Sequence, residues 1–246
     1  MLRKKTSYIG VDLFAGAGGM SLGAQMAGVS VQYAIEQDAF AAKTYNYNHP
    51  TTILIEDDIR NVPVFKIDNS RQEIILFGGP PCQGFSTSNQ KTRSRENPSN
   101  WLYQEFIRFA KGIMPEWIVF ENVRGIAETE KGFFVNTILN QLENLGYTCS
   151  SGLLCASDFG VPQHRHRFFI IGSLSRRTIN IPVKGTAPIV TVQDAISDLP
   201  ELDNGSTVDE LRYSALAKTE YADSLRGTME SCTGHSVFAK AEYLSS

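Results

Sequence analysis

The feature that most limits what this chain can fold into is a repeated hand-over. Short, β-rich apolar runs alternate with segments of helical spacing, and the apolar runs stop at glycines or carboxylates. Tyr8–Phe14 is followed by the helix-like Gly18–Gly28. Val31–Ile35 ends at Glu36, and the helical Asp38–Asn48 stops before Pro50. Thr52–Ile55 is closed by Glu56-Asp57-Asp58, and Glu73–Phe77 runs into GGPPCQGFS (78–86). Trp101–Gly112 is amphipathic, with Leu102, Phe106, Ile107 and Phe109 toward a core. A strand at Trp117–Phe120, a helix over Phe133–Leu145 and strands at Leu153–Leu154 and Arg167–Ile171 follow. Strands separated by helices predict an α/β fold, a doubly wound, mostly parallel sheet with helices on both faces. Ligands bind such sheets at the carboxyl ends of the strands. That is where Gly16–Gly19, Glu36, Asp58, Cys82 and Glu121 fall.

From Pro182 onward proline, serine and threonine rise and strong strand runs cease. The sequence therefore divides into an α/β domain over 1–180 and a different region over 181–246. In the latter, Thr191 caps a predicted helix at Val192–Leu199, and a second helix is expected over Val208–Lys218. The polar stretch 87–100, TSNQKTRSRENPSN, is longer than an ordinary connection and reads as a lid. No apolar run reaches the roughly 18–20 residues of a membrane span, and no signal peptide is read at the basic N-terminus. Cysteines 82, 149, 155 and 232 form no CxxC pair, which predicts reduced thiols, a cytoplasmic setting and no zinc site. The net charge is −3, so any nucleic-acid surface must be local or be supplied by another chain.

The motif Asp12-Leu13-Phe14-Ala15-Gly16-Ala17-Gly18-Gly19 ends a strand and starts a helix. Its glycines allow close backbone approach, and a helix N-terminus offers free N–H groups. Glu36 lies about 20 residues on, at the next strand end, where an acid suits ribose hydroxyls. The pair indicates a nucleoside cofactor without separating a dinucleotide from S-adenosylmethionine. Asp58 and Ile59 suit an adenine edge and ring, and a turn or capping role serves Asp58 equally well. Cys82, among prolines and glycines, has little to pack against and is the candidate nucleophile. Glu121, in Glu121-Asn122-Val123, is a carboxylate at the mouth of an apolar strand, suited to acid–base work. In Gln163-His164-Arg165-His166-Arg167, strand alternation would place Gln163, Arg165 and Arg167 on one face, where two guanidiniums suit carbonyl or phosphate oxygens. The two histidines lack acidic partners, and no metal site is read there.

DLFAGAGG (12–19), Glu36, Asp58, GGPPCQGFS (78–86), ENV (121–123) and QHRHR (163–167) occur together and in order. The chain closely resembles the DNA cytosine-5 methyltransferases over roughly 8–173, with TVQDAISDLP (191–200) resembling the lead-in to target recognition in bacterial members. The resemblance implies a Rossmann-like methyltransferase fold, S-adenosyl-L-methionine as cofactor, double-stranded DNA as substrate and a bacterial or phage restriction–modification setting. It implies that Cys82 attacks C6 of a flipped cytosine and that Glu121 holds N3 and the exocyclic amine. It assigns the base O2 or a phosphate to Arg165 and Arg167, and the cofactor to Asp12, Phe14, Gly16, Gly18, Gly19, Glu36, Asp58, Ile59 and Pro80. Residues 84–100 correspond to a loop closing over the base, with Lys91, Arg93 and Arg95 toward phosphates. Neither a closing arginine-containing segment nor a Gly-Asn-Ser-Val-like segment follows. A second chain carrying target recognition is therefore expected, with a truncated binding module as the alternative. A transfer-RNA methyltransferase is disfavoured because Cys-Phe-Thr does not occur.

Overall fold

The structure is a computed structural model that describes residues 7–68, 72–81, 101–175, 179–182, 185, 188–207, 211, 213 and 215–226. The chain divides into two compact units, one of Met1–Leu154 with His166–Pro182, the other of Cys155–Arg165 with Val183–Ser246.

The first unit is built on a sheet. Its strands are β1 (Tyr8–Leu13), β2 (Val29–Glu36), β3 (Ile53–Glu56), β4 (Glu73–Gly78), β5 (Trp117–Val123), β6 (Thr148–Cys155) and β7 (His166–Ser173). Among the described residues they lie in the order β3-β2-β1-β4-β5-β7-β6. β1 pairs in parallel with β2 and β4, β2 with β3, and β4 with β5, whereas β7 runs antiparallel to β5. The doubly wound, mostly parallel sheet is thus present. The order reverses on either side of β1, because the chain winds outward through β2 and β3 and then returns to β4. This reversal is the kind of switch point at which such sheets open a crevice. Central strands covered on both faces carry continuous apolar runs. Accordingly Ile9, Val11 and Leu13 of β1 and Leu76 and Phe77 of β4 are all buried.

The helices of this unit are α1 (Gly19–Met26), α2 (Ala39–Asn48), α3 (Tyr103–Ile113), the short α4 (Gly125–Glu128) and α5 (Phe133–Asn144). α3 buries Tyr103, Phe106, Phe109 and Ala110, while Leu102 and Ile107 pack at the margin of the core. α5 buries Phe134, Val135, Ile138 and Leu142, a stripe of helical period. Phe106 meets Phe120 of β5 edge-on at 5.2 Å between ring centroids, seating α3 on the sheet.

The second unit contains α6 (Val192–Ile196) and α7 (Glu220–Leu225). Thr191 caps α6 in a full capping box with Asp194. The helix expected over Val208–Lys218 is not found at its described residues; the helix starts at Glu220, where Thr219 accepts from the Ala222 N–H. Arg226 closes α7 against α6 through Asp198 and the Ala195 carbonyl, at 2.8 and 3.1 Å. This partnership is distant in sequence and invisible to local periodicity.

Candidate active site

β1 ends in a loop shaped by three different needs. Phe14 takes a left-handed φ of 61°, uncommon for a non-glycine residue and a frequent mark of functional sites. Gly16 has φ 57° and donates its N–H to Glu36 Oε2 at 2.7 Å. Gly18, at φ 93°, is fixed by packing, since a Cβ there would sit 2.3 Å from His49 Nε2. His49 is buried beneath the loop, with Nε2 3.1 Å from the Gly18 carbonyl. A Cβ on Gly16 or Gly19 would meet nothing within 4 Å, so both border open space.

Glu36 closes β2 level with Glu56 of β3. Besides Gly16, it accepts from the Asp38 N–H at 2.8 Å, so the carboxylate is oriented by two backbone donors. After β3, Asp57 accepts from the Asp58 N–H and from the Asn61 amide. Asp58 is gripped by the Arg60 guanidinium and backbone N–H, which together hold its carboxyl down at about 2. It is thus a fixed acceptor over the whole physiological range.

These strand ends enclose a cavity of about 440 Å³ lined by Phe14, Ile35, Glu36, Gln37, Asp57, Asp58, Ile59, Arg60, Gly79, Pro81 and Leu102. Of the residues read from sequence, Phe14, Glu36, Asp58 and Ile59 line it. Asp12 does not line it; the residue is 1% exposed and its Oδ2 accepts the Ser21 hydroxyl at 2.6 Å. Pro80 is also buried and off the wall, and its neighbour Pro81 takes that place. Gln37, Arg60 and Leu102 were not singled out by the sequence reading. Gln37 had a usable signal in its position beside the strand-end Glu36, whereas Leu102 comes from α3, far along the chain.

The GGPP turn after β4 is a close approach. A Cβ on Gly78 would lie 2.1 Å from the Leu13 carbonyl oxygen, and one on Gly79 2.7 Å from Glu121 Oε2. Gly79 therefore borders both the cavity and the Glu121 carboxylate. Asn122, 2% exposed, donates to the Pro80 carbonyl at 3.0 Å and ties the turn to β5. Cys82 and residues 84–100, including Lys91, Arg93 and Arg95, lie outside the described residues.

Glu121 lies within β5, opposite Phe169 of β7, and Val123 lies opposite Arg167. Alternation places Arg167 diagonally across from Glu121 on one face. The two pair at 2.9 Å between Nε and Oε1, with both side chains about one-fifth exposed. The strand expected over Arg167–Ile171 is present within β7, but Gln163, Arg165 and Arg167 do not share one strand face. β7 begins only at His166, because Gln163 and Arg165 donate their N–H groups two residues back, to the Val161 and Gln163 carbonyls, in tight turns. Arg165 is exposed in that turn and does not share a strand face with Arg167. Of the other thiols, Cys149 is pushed up to about 11 by burial, the state of an inert core cysteine, and Cys155 is buried.

The cavity has the chemical character of a nucleoside site. It offers an aromatic wall in Phe14, oriented acids in Glu36 and Asp58, and glycines with open space in front of them. Comparison with known proteins agrees. A sequence model of C-5 cytosine-specific DNA methylases matches residues 8–243. Type II methyltransferase M.DdeI of Desulfomicrobium norvegicum is 37% identical, the match covering 88% of this chain and 54% of that one. Type II methyltransferase M.AquIA of Picosynechococcus is 35% identical, with 77% of this chain and 88% of that one covered. The chain thus spans little more than half of M.DdeI and most of M.AquIA. A prophage-encoded E. coli protein assigned as a DNA modification methyltransferase superimposes with a TM-score of 0.65 at 31% identity, covering 80% of this chain and 56% of that one. A family match over nearly the whole chain, on a sheet whose switch-point cavity abuts Glu121 of ENV, places this chain in the C-5 cytosine-specific DNA methylase family.

Proposed function

We propose that this chain methylates C5 of cytosine in double-stranded DNA, with S-adenosyl-L-methionine as methyl donor. The observation that carries the reading is Gly79, which borders the cavity on one side and the Glu121–Arg167 pair on the other. A nucleoside cofactor and a cytosine ring served by Glu121 would thereby sit across one glycine.

Phe14 and Ile59 would flank the adenine, Asp58 would accept from its amine, and Glu36 would hold the ribose hydroxyls. Gly16 and Gly19 leave room for the rest, while Asp12, Gly18 and Pro80 act behind the wall. S-adenosylmethionine, when bound, supplies an electrophilic methyl group. Cys82 adds to C6 of a cytosine taken out of the stack, as base-modifying enzymes require; C5 takes the methyl group, and loss of the C5 proton with release of the Cys82 thiolate restores the ring. Glu121 holds the N3 edge, and Arg167 keeps that carboxylate in place. Arg165 is free to meet a phosphate or the base O2. Residues 1–180 form the cofactor and catalytic part, and 181–246 lead toward target recognition. No helix among the described residues is long and apolar enough to cross a membrane. The comparisons lend no support to a second chain.

The test is transfer of tritiated methyl from S-adenosylmethionine to duplex DNA. Cys82→Ser should abolish incorporation by at least about a thousandfold, as loss of a nucleophile does. Glu121→Gln should reduce it by about a hundredfold, the usual scale of a lost acid–base group. Equal incorporation by Cys82→Ser and the parent chain would refute the mechanism.

A further inference from the structure

The turn that carries Asp58, Ile59 and Arg60 has no regular secondary structure of its own to hold it. To its own backbone bonds, from the Asn61 N–H to the Asp58 carbonyl and from the Val62 N–H to the Ile59 carbonyl, α3 adds a clamp from outside. Arg108 reaches across with one terminal nitrogen and donates to the Ile59 carbonyl at 2.7 Å and the Val62 carbonyl at 3.0 Å. Glu105, one turn earlier on α3, accepts from Arg108 Nε at 2.6 Å and so sets the direction of the fork. The guanidinium carbon lies 4.7 Å from the centroid of the Phe109 ring, which is fully buried. Three constraints therefore fix one side chain, and that side chain fixes the backbone of a cavity-lining residue. Leu102, at the start of the same helix, is itself on the cavity wall.

We infer that Arg108 is a positioning residue for the adenine end of the cofactor cavity. It touches no ligand; it holds the Ile59 peptide so that the Ile59 side chain and the Asp58 carboxylate face the cavity at fixed separation. Lysine could keep the charge there, but not a planar fork that two backbone carbonyls and a carboxylate hold from different sides. The inference rests on the cofactor reading above.

The experiment is calorimetric titration of the whole chain with S-adenosylhomocysteine and, separately, with adenosine. Arg108→Met, Arg108→Lys and Glu105→Gln are compared with the parent chain at a temperature well below each melting point. Arg108→Met should weaken both probes by about tenfold, the scale of one lost charge-assisted hydrogen bond. Arg108→Lys should recover only part of that, and Glu105→Gln should lose about twofold to threefold for the same reason. An equal fold-loss for the two probes places the defect at the adenosine portion they share, away from the amino-acid end. A parent chain that binds neither probe overturns the cofactor reading itself. A parent chain that binds, with folded variants that bind equally well, overturns the role of Arg108 alone. Weakening confined to S-adenosylhomocysteine also overturns it, because the loss would then lie at the amino-acid end.

Discussion

Asp12 shows how a motif residue can matter without touching a ligand. It is 1% exposed, accepts from Ser21 through Oδ2, and finds no hydrogen bond for Oδ1 among the described residues. Burial, with the Glu36 charge adding to it, pushes its carboxyl from 3.8 up to about 7, while the Ser21 bond pulls the other way. An acid that ionises late when folded gives up stability as pH rises from its unfolded value through its folded one. Asp12→Asn cannot ionise, so its melting temperature relative to the parent chain should improve between about pH 4 and pH 7. Parallel melting curves across that range would show that Asp12 carries no such penalty. The sequence assigned one purpose, ligand approach, to every glycine nearby. At Gly18 the reason is instead His49, 31 residues away, which no local pattern reveals. Gly18→Ala should therefore cost more than the roughly 1 kcal/mol of a left-handed alanine. Most of the excess should go when His49→Ala is made as well, leaving only the milder 3.0 Å contact with Tyr45. Equal cost in both backgrounds, read from denaturant melts, would locate the strain elsewhere.

At the scale of elements, strand positions were legible because apolar runs and strand-end punctuation are local signals. β1, β4 and β5 all begin at the residues expected. Elements fixed by distant partners were not legible. α7 starts at Glu220 because Thr219 caps it and Arg226 anchors it to Asp198, and neither fact follows from periodicity. Gln163 and Arg165 do not join the β7 face because they are spent on tight turns before it. α2 is the opposite case, a helix whose N-terminus is written in the sequence. Asp38 accepts from the Ala41 N–H at 2.8 Å, while its own N–H is held by Glu36. Asp38→Ala should cost about 1 kcal/mol, the usual worth of a cap, or about 2–4 °C for a chain of this size. Asp38 meets the Glu36 carboxylate through its backbone N–H alone, so S-adenosylhomocysteine affinity should hold within about twofold, less than the loss of one hydrogen bond. A large loss of affinity would mean that α2 itself orients Glu36.

For the molecule as a whole, electrostatics and topology pull apart. The sheet order brings the β1–β3 ends, with the cavity, beside the β4–β5–β7 ends, with Glu121 and Arg167. Yet 23 basic residues face 26 acidic ones, and Glu36, Asp57 and Asp58 crowd one wall of the cavity. An anionic body does not attract a duplex over its whole surface, so the proposed DNA binding would rest on a few local cations. Lys91, Arg93, Arg95 and Arg165 are the residues placed for it by sequence, whereas Arg167 is spent on Glu121. Four phosphate contacts would release about four condensed counterions, a slope of about −3 to −4 for log affinity against log salt. Fluorescence anisotropy of labelled duplex across about 50–200 mM salt measures it. Because Asp58 is already neutralised locally by Arg60, S-adenosylhomocysteine affinity should change little over the same range. A DNA slope near −10, the value of a broad cationic surface, would mean that basic residues well beyond these four meet phosphates. Cofactor affinity falling as steeply as DNA affinity would mean that the cavity and the duplex share those cations.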